Sequence, residues 1–305
     1  MRNITLGTLA IAALLAATPA IAQPAPPVGP DASKIEVKVT DLGQRTYMLE
    51  GLGGNVTVAL ADDGVIMVDG QFATMNEKLK GAIAKLSNQP IRYLVNTHYH
   101  GDHTGGNDLF GKDGVVTVSH VNVRNKLAGG WSNALTGAKS PALAEGFFPK
   151  QTYTDAMKLE LKGRVAQLKH TQFAHTDGDT FVHFADANVI STGDVVALGR
   201  FPTIDFSNGG NIKGMITAVD GYLALSNDTT KIVPGHGPLI GKKELTEYRD
   251  FLVTARDRMA KLVAEGKSEE EAIAAKPYAD LDVKYGANEQ ASRNWVRMVY
   301  ASMKM

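Results

Sequence analysis

Residues 96–107 read NTHYHGDHTGGN. Three histidines and an aspartate, His98, His100, Asp102 and His103, fall within six positions of a chain that has eight histidines in all. Just upstream, the apolar, β-branched run Ile91-Arg92-Tyr93-Leu94-Val95 reads as a strand, so the cluster begins where a strand ends. In sheets covered by helices, ligands bind beyond the carboxyl ends of strands, where loops present side chains. A turning backbone there can aim His98 and His100 at one point, and Asp102 and His103 at a second point beside it. Gly101, Gly105 and Gly106 permit the turn and a closely following helix. Imidazole and carboxylate donors suit Zn²⁺, with Fe or Mn as alternatives.

Zinc takes four ligands, so His98 and His100 need partners from elsewhere in the chain. His175 lies in Ala174-His175-Thr176-Asp177-Gly178-Asp179-Thr180, a polar turn before a strand, and is open to a metal. His183 sits inside a strand, His120 ends one and His170 follows one, and these three read as structural. Asp194 ends the strand 189–193, and His236 follows the strand Lys231-Ile232-Val233 between two glycines. Each retained candidate thus stands at or beside a strand end. There is no cysteine, which removes disulfides, thiolate metal sites and cysteine nucleophiles together.

Around these points, short apolar runs alternate with helical spacing. Thr46–Glu50, Val56–Leu60, 64–70, 115–118, 165–168, Thr180–Phe184 and 189–192 read as strands; 76–87 and 213–225 read as helices. From about Lys242 the chain reads as helical, with a capping box at Ser268 and Glu271 and a helical period over 290–303. Residues 129–150 read as a long Gly/Ala/Pro-rich segment, a loop or short irregular helix over the surface. Alternation in two similar halves predicts sheets covered by helices.

The amino terminus reads as an address. Arg2, an apolar run too short to span a bilayer, and Ala20-Ile21-Ala22 form a secretory signal peptide over 1–22. Residues 23–36 then form a Pro-rich, disordered leader. The expectation is a secreted or periplasmic protein without stable membrane insertion after cleavage. Lys+Arg and Asp+Glu both total 32 and are interspersed, which gives no basic footprint for nucleic acid.

The stretch NTHYHGDHTGGN resembles the H-x-H-x-D-H motif of the metallo-β-lactamase superfamily. The later AHTDGD, STGD and PGHG segments resemble its remaining metal-binding segments, in order, and the resemblance covers roughly 37–239. It implies an α/β fold, an αββα four-layer sandwich over 37–240, with residues 241–305 as a helical extension packed on the same domain. It implies two Zn²⁺ ions, with Fe or Mn as alternatives. His98, His100 and His175 would bind the first, Asp102, His103 and His236 the second, and Asp194 would bridge them. Asp69 would support the metal loop through hydrogen bonds. The implied chemistry is hydrolysis of an acyl bond in a small-molecule substrate, by a hydroxide that the two ions generate and Asp102 orients.

Within the superfamily, export and the three-histidine first site favour β-lactamase-like activity. Asn211, in Gly209-Gly210-Asn211, resembles a residue that binds the lactam carbonyl there. Against it, exported β-lactamases carry cysteine where Asp194 stands and a substrate-binding lysine where Ala197 stands, and they lack the helical carboxyl terminus. The bridging aspartate resembles glyoxalase II-type thioesterases and quorum-quenching lactonases, which form the alternative. A non-catalytic metal-binding accessory protein is the third. The glycine-rich turn Gly51-Leu52-Gly53-Gly54-Asn55 is expected where the family has a substrate-covering flap.

Overall fold

The computed structural model describes residues 29–305, and the signal peptide expected over 1–22 lies outside them. One sheet contains, in spatial order, β1 (Lys38–Gly43), β2 (Thr46–Glu50), β3 (Val56–Leu60), β4 (Val65–Val68), β5 (Ile91–Val95), β6 (Val116–His120) and β9 (Gln151–Tyr153). Between β6 and β9 the chain makes a small separate hairpin, β7 (Trp131–Ser132) and β8 (Lys139–Ser140). The second sheet runs β10 (Ala156–Leu161), β11 (Arg164–His170), β12 (Thr180–Phe184), β13 (Val189–Ser191) and β14 (Lys231–Val233). Each sheet starts as an antiparallel meander and turns parallel: after β4 in the first, after β13 in the second. The helices are α1 (Asn76–Ala84), α2 (Gly101–Thr104), α3 (Asn107–Lys112), α4 (Val121–Gly129), α5 (Ile212–Leu225), α6 (Lys242–Ala264), α7 (Glu269–Ala274) and α8 (Glu289–Met303).

The alternation of strand residues places the core. In β12, Thr180, Val182 and Phe184 are buried while Phe181 and His183 are half-buried. Val68, Val95 and Val118 of the first sheet meet Leu168, Val182 and Phe184 of the second in one apolar layer. Leu79 and Ile83 of α1 and Phe110 of α3 cover the outer face of the first sheet. Met215 and Val219 of α5, Leu252 of α6 and Trp295 of α8 form a third layer over the second. Helix, sheet, sheet and helix stack as a four-layer sandwich. The carboxyl-terminal helices belong to that packing, because α6 lies along α5 and α8 lies along α6.

Trp295 is fully buried and stacks on Phe201 at 5.5 Å, in the chain segment that follows Asp194. Trp295→Ala is therefore expected to cost about 3–5 kcal/mol of stability. A urea melt with a lowered midpoint and unchanged slope checks this.

The leader departs from expectation where it is described. Residues 29–36 pack against α1 rather than remaining disordered. Ala32 is buried, and Lys78 Nζ donates to the carbonyls of Ala32, Ser33 and Ile35 at 2.7, 2.9 and 2.7 Å. The prolines end early enough for Ala32 and Ile35 to reach the apolar layer beneath α1. Within 129–150 the chain forms a single helical turn at Glu145–Phe147, as the reading allowed, and also the β7–β8 hairpin, which rests Trp131 on Tyr99 at 5.0 Å.

Candidate metal centre

All seven ligand candidates stand at strand ends. The 96–103 segment follows β5, His175 lies between β11 and β12, Asp194 lies in the turn Gly193–Val195 after β13, and His236 follows β14. Asp69, after β4, has a φ of +64, a left-handed conformation that costs a non-glycine residue roughly 1–3 kcal/mol. Its buried carboxylate accepts from Thr97 N at 2.8 Å, Thr97 Oγ1 at 2.7 Å and His103 Nδ1 at 2.8 Å, contacts that hold the backbone there. Asp69 thus orients the loop that carries His98, His100 and His103.

The hydrogen bonds fix the ring tautomers. His175 Nδ1 faces the carbonyl of Thr203 at 2.8 Å, and His100 Nε2 faces the Asp205 carboxylate at 3.2 Å; both partners only accept, so both nitrogens carry protons. Thr97 uses its hydroxyl hydrogen on Asp69, so it accepts from His98 Nδ1 at 3.0 Å. The inner nitrogens are then bare lone pairs. His98 Nε2 and His175 Nε2 stand 3.1 and 3.0 Å from His100 Nδ1. Three lone pairs facing one another repel unless a cation lies among them. Burial, reinforced by the neighbouring rings, pushes His98 well below the usual imidazole range and His175 down to about 4, so both hold the neutral form that ligates metal.

A second group adjoins the first. His103 donates through Nδ1 to Asp69, and its Nε2 lies 3.1 Å from Asp194 Oδ1 and 3.7 Å from Asp102 Oδ2. His236 Nε2 lies 3.1 Å from Asp102 Oδ2 and 3.4 Å from Asp194 Oδ2. His103 Nε2, His236 Nε2 and Asp194 Oδ1 are buried, yet none has a hydrogen-bond partner of proper geometry. Burial alone would raise Asp194, but His103 and His236 outweigh it and hold its carboxyl well below the usual carboxylate range. Burial alone would likewise lower His103, and Asp194, Asp69 and Asp102 outweigh it. The donor atoms of His98, His100 and His175, of His98, His103 and Asp194, and of Asp102, His103 and His236 form three overlapping sets, each within 4.8 Å. Orphaned buried atoms and a donor set of borderline imidazoles and hard carboxylates, without thiolate, fit divalent cations.

One side of this centre is open. The His98, His103 and His175 side chains are almost wholly buried, whereas those of His100, Asp102 and His236 are 22, 27 and 19% exposed. A substrate therefore approaches across these last three.

One expectation is corrected. Asn211 does not face this opening. It caps α5, its Oδ1 accepting from Lys213 N at 2.8 Å while its Nδ2 donates to the carbonyl of Ser302 in α8 at 2.9 Å. Both ends of the amide are used in holding helices together. The turn at 51–54 lies directly against the ligand loop. Gly54 N donates to the Asp102 carbonyl at 3.1 Å, and a Cβ on Gly54 would fall 2.1 Å from His103 Cε1. Asn55 continues the clamp, donating through Nδ2 to the carbonyls of Pro234 and Gly237 on either side of the His236 loop. The glycines provide close approach to the ligands.

Several supporting residues lie outside the candidate set named from the sequence. Asp179 accepts from the backbone N–H groups of His175 and Thr176 at 2.6 and 2.9 Å and so shapes the His175 turn. Asp205 has a side chain only 2% exposed; its carboxylate takes His100, the Tyr99 hydroxyl and Asn208, and its backbone N–H binds the His175 carbonyl at 3.0 Å. One residue thereby fixes two ligand candidates. Asp205→Asn is expected to weaken metal binding by about 10- to 100-fold, the usual effect of losing a carboxylate behind a ligating histidine, and chelator competition measures it. His120 and His170 stack face to face at 3.7 Å, away from the seven ligand candidates, as their strand positions imply.

The profile described as the metallo-beta-lactamase superfamily matches residues 49–236. The chain belongs to the metallo-beta-lactamase superfamily. That superfamily is hydrolytic and binds divalent metals. A linear primary-alkylsulfatase from Pseudomonas sp. (strain ATCC 19151) is 22% identical over 255 residues, covering 70% of this chain and 48% of that protein. The chain thus spans about half the length of this curated relative. Among solved structures, a metallo-beta-lactamase from Pontibacter korlensis is 16% identical with a TM-score of 0.56, over 71% of this chain and 99% of its own. The DIM-1 metallo-beta-lactamase gives 16% and 0.57, over 73 and 100%. The sec-alkylsulfatase Pisa1 from Pseudomonas sp. gives 17% and 0.64, over 87 and 50%. These likenesses share the superfamily's sandwich. No described helix is long and apolar enough to cross a membrane.

Proposed function

We propose that this protein is an exported, zinc-dependent dinuclear hydrolase that cleaves an acyl bond in a small molecule. The observation that carries this reading is the meeting of bare imidazole lone pairs and an orphaned carboxylate oxygen of Asp194 in overlapping donor sets with one open side. His98, His100 and His175 would hold one ion, Asp102, His103 and His236 the other, and Asp194 both. Such ions, when bound, would supply an activated water and polarisation of a scissile carbonyl. The chain supplies the rest. Asp69, Asp205 and the Thr203 carbonyl hold the outer ring protons, so the inner nitrogens stay aimed. Asp102, the most exposed ligand carboxylate, stands where it can accept a hydrogen bond from the attacking water and orient it. His100 and His236 flank the path along which the substrate carbonyl enters.

Lactones and thioesters are placed ahead of β-lactams. Asn211, which would have bound a lactam carbonyl, is committed to its cap, and Asp194 stands where exported β-lactamases have cysteine. β-Lactamase-like activity is then a weak side reaction. Sulfate-ester hydrolysis is a second reading, favoured by the alkylsulfatase likenesses, one of which takes in 87% of the chain.

The test is metal analysis followed by a substrate panel. Purified protein should contain about two zinc equivalents and lose turnover on exhaustive chelation. An acyl-homoserine lactone, S-lactoylglutathione, a chromogenic cephalosporin and a linear alkyl sulfate separate the classes. Turnover of the lactone or thioester supports the first reading; turnover of the alkyl sulfate alone supports the second. Bound zinc with no turnover in any arm supports the non-catalytic role. Export is checked by fractionation and by amino-terminal sequencing, which should begin at Gln23.

A further inference from the structure

The helical layer over the second sheet stops at α5. That helix packs against α6 and α8, and its remaining flank carries small side chains, Gly214, Thr217, Ala218 and Gly221. Beside this flank the outer faces of β10 and β11 stay exposed, and Phe181 of β12 packs against Tyr222 of α5 at 5.0 Å, leaving a groove of about 840 Å³. Drug-sized ligands occupy sites of roughly 300–1,000 Å³. The floor is apolar, with Phe181 half-buried and Tyr222 buried, and Leu225, 46% exposed, stands on the α5 side. None of the seven metal-ligand candidates lines it.

Its charge is one-sided. Lys158, Lys169, His170 and His183 line the groove, and no carboxylate does. Lys158 is occupied by Glu160 beside it. Lys169 has no carboxylate within ion-pair distance among the described residues, which leaves one free positive charge beside an apolar floor. The outward residues of these strands are half polar, as on a solvated sheet face rather than one built to be buried by another protein domain.

We propose that this groove binds a single-chain carboxylate amphiphile, a medium-chain fatty acid, with its tail along Phe181, Ala218 and Tyr222 and its head at Lys169. One free cation matches one singly charged head, and nothing lies within 4 Å of where a Cβ on Gly221 would stand, so α5 leaves room there for an alkyl chain. This site is separate from the proposed hydrolytic centre and does not depend on that centre's substrate.

The experiment is a calorimetric titration of decanoate, below its aggregation concentration, into the full chain. One saturable site is expected, with no saturable binding of decyltrimethylammonium. Thr217→Trp, which fills the groove from an exposed helix position, should weaken decanoate at least about tenfold by removing the tail's contact area. Lys169→Glu, also at an exposed position, should weaken it by about three- to tenfold through charge reversal. Both variants should keep wild-type circular dichroism and wild-type zinc content. Absence of a saturable decanoate site, equal affinity for the cationic amphiphile, or full affinity in Thr217→Trp overturns the proposal. A concentration-dependent dimer that Thr217→Trp dissolves also overturns it, because a second copy would then cover the groove.

Discussion

Asp194→Ala is expected to lower hydrolytic turnover by about three orders of magnitude, corresponding to several kcal/mol of lost transition-state stabilisation. The reason is its position. Its two oxygens lie 3.1 Å from His103, 3.4 Å from His236 and 3.9 Å from His175, so one carboxylate reaches both donor groups. Removing it leaves the inner nitrogen of His103, Nε2, with Asp102 as its one carboxylate neighbour among the described residues, at 3.7 Å. Zinc content should fall from two equivalents toward one, since His98, His100 and His175 remain. Full activity with one equivalent in the variant would show that the second group is dispensable for the chemistry. Asp194→Cys is the informative companion. Thiolate is a softer donor, so it should keep two equivalents of zinc while shifting the preference among divalent metals.

Gly54→Ala should also be damaging, although it removes no ligand. The added carbon would fall 2.1 Å from His103 Cε1 and 2.6 Å from its Nε2, so the ring must move or the turn must lift. Overpacking of this kind costs roughly 1–3 kcal/mol of stability. Displacing a catalytic group by about 1 Å costs on the order of 10²-fold in rate. The expected result is a loss of about 10²-fold in turnover, with a weakened second zinc equivalent and a modestly lowered melting temperature. Gly81→Ala provides the contrast, because nothing lies within 4 Å of a Cβ there in α1. That change should leave turnover intact and add up to about 1 kcal/mol of stability. Wild-type turnover in Gly54→Ala would mean that the turn is free to move away from His103.

Much of the fold could be read from local pattern. Strands such as β3, β5 and β12 are short apolar runs bounded by turn residues, and α5 repeats its apolar residues at helical spacing. β1 and β10 escaped because they are edge strands, and half or more of their residues face water or carry charge, so their alternation is weak. The ligand candidates were legible because each ends a strand and belongs to a dense or glycine-flanked segment. Asp205 and Asn55 were not, because their roles exist only through distant partners. Asp205 meets His100 more than a hundred positions away, and Asn55 meets the His236 loop at a still greater separation. Asn211 misled for the opposite reason. Its glycine-flanked position suits a ligand contact and a helix cap equally, and only the partner at Ser302 distinguishes them.

The ligand candidates are divided between the halves of the sandwich. Four follow β5 in the first sheet, and three follow β11, β13 and β14 in the second. Ions held there would act as cross-links between two sheets in a chain with no cysteine to form a covalent one. Folding and metal loading then become one linked equilibrium. Free zinc at a thousand times its dissociation constant would add about 4 kcal/mol of stability. The bound ions would be structural rivets as well as reagents, and a chelator would soften the whole sandwich as it silenced the centre.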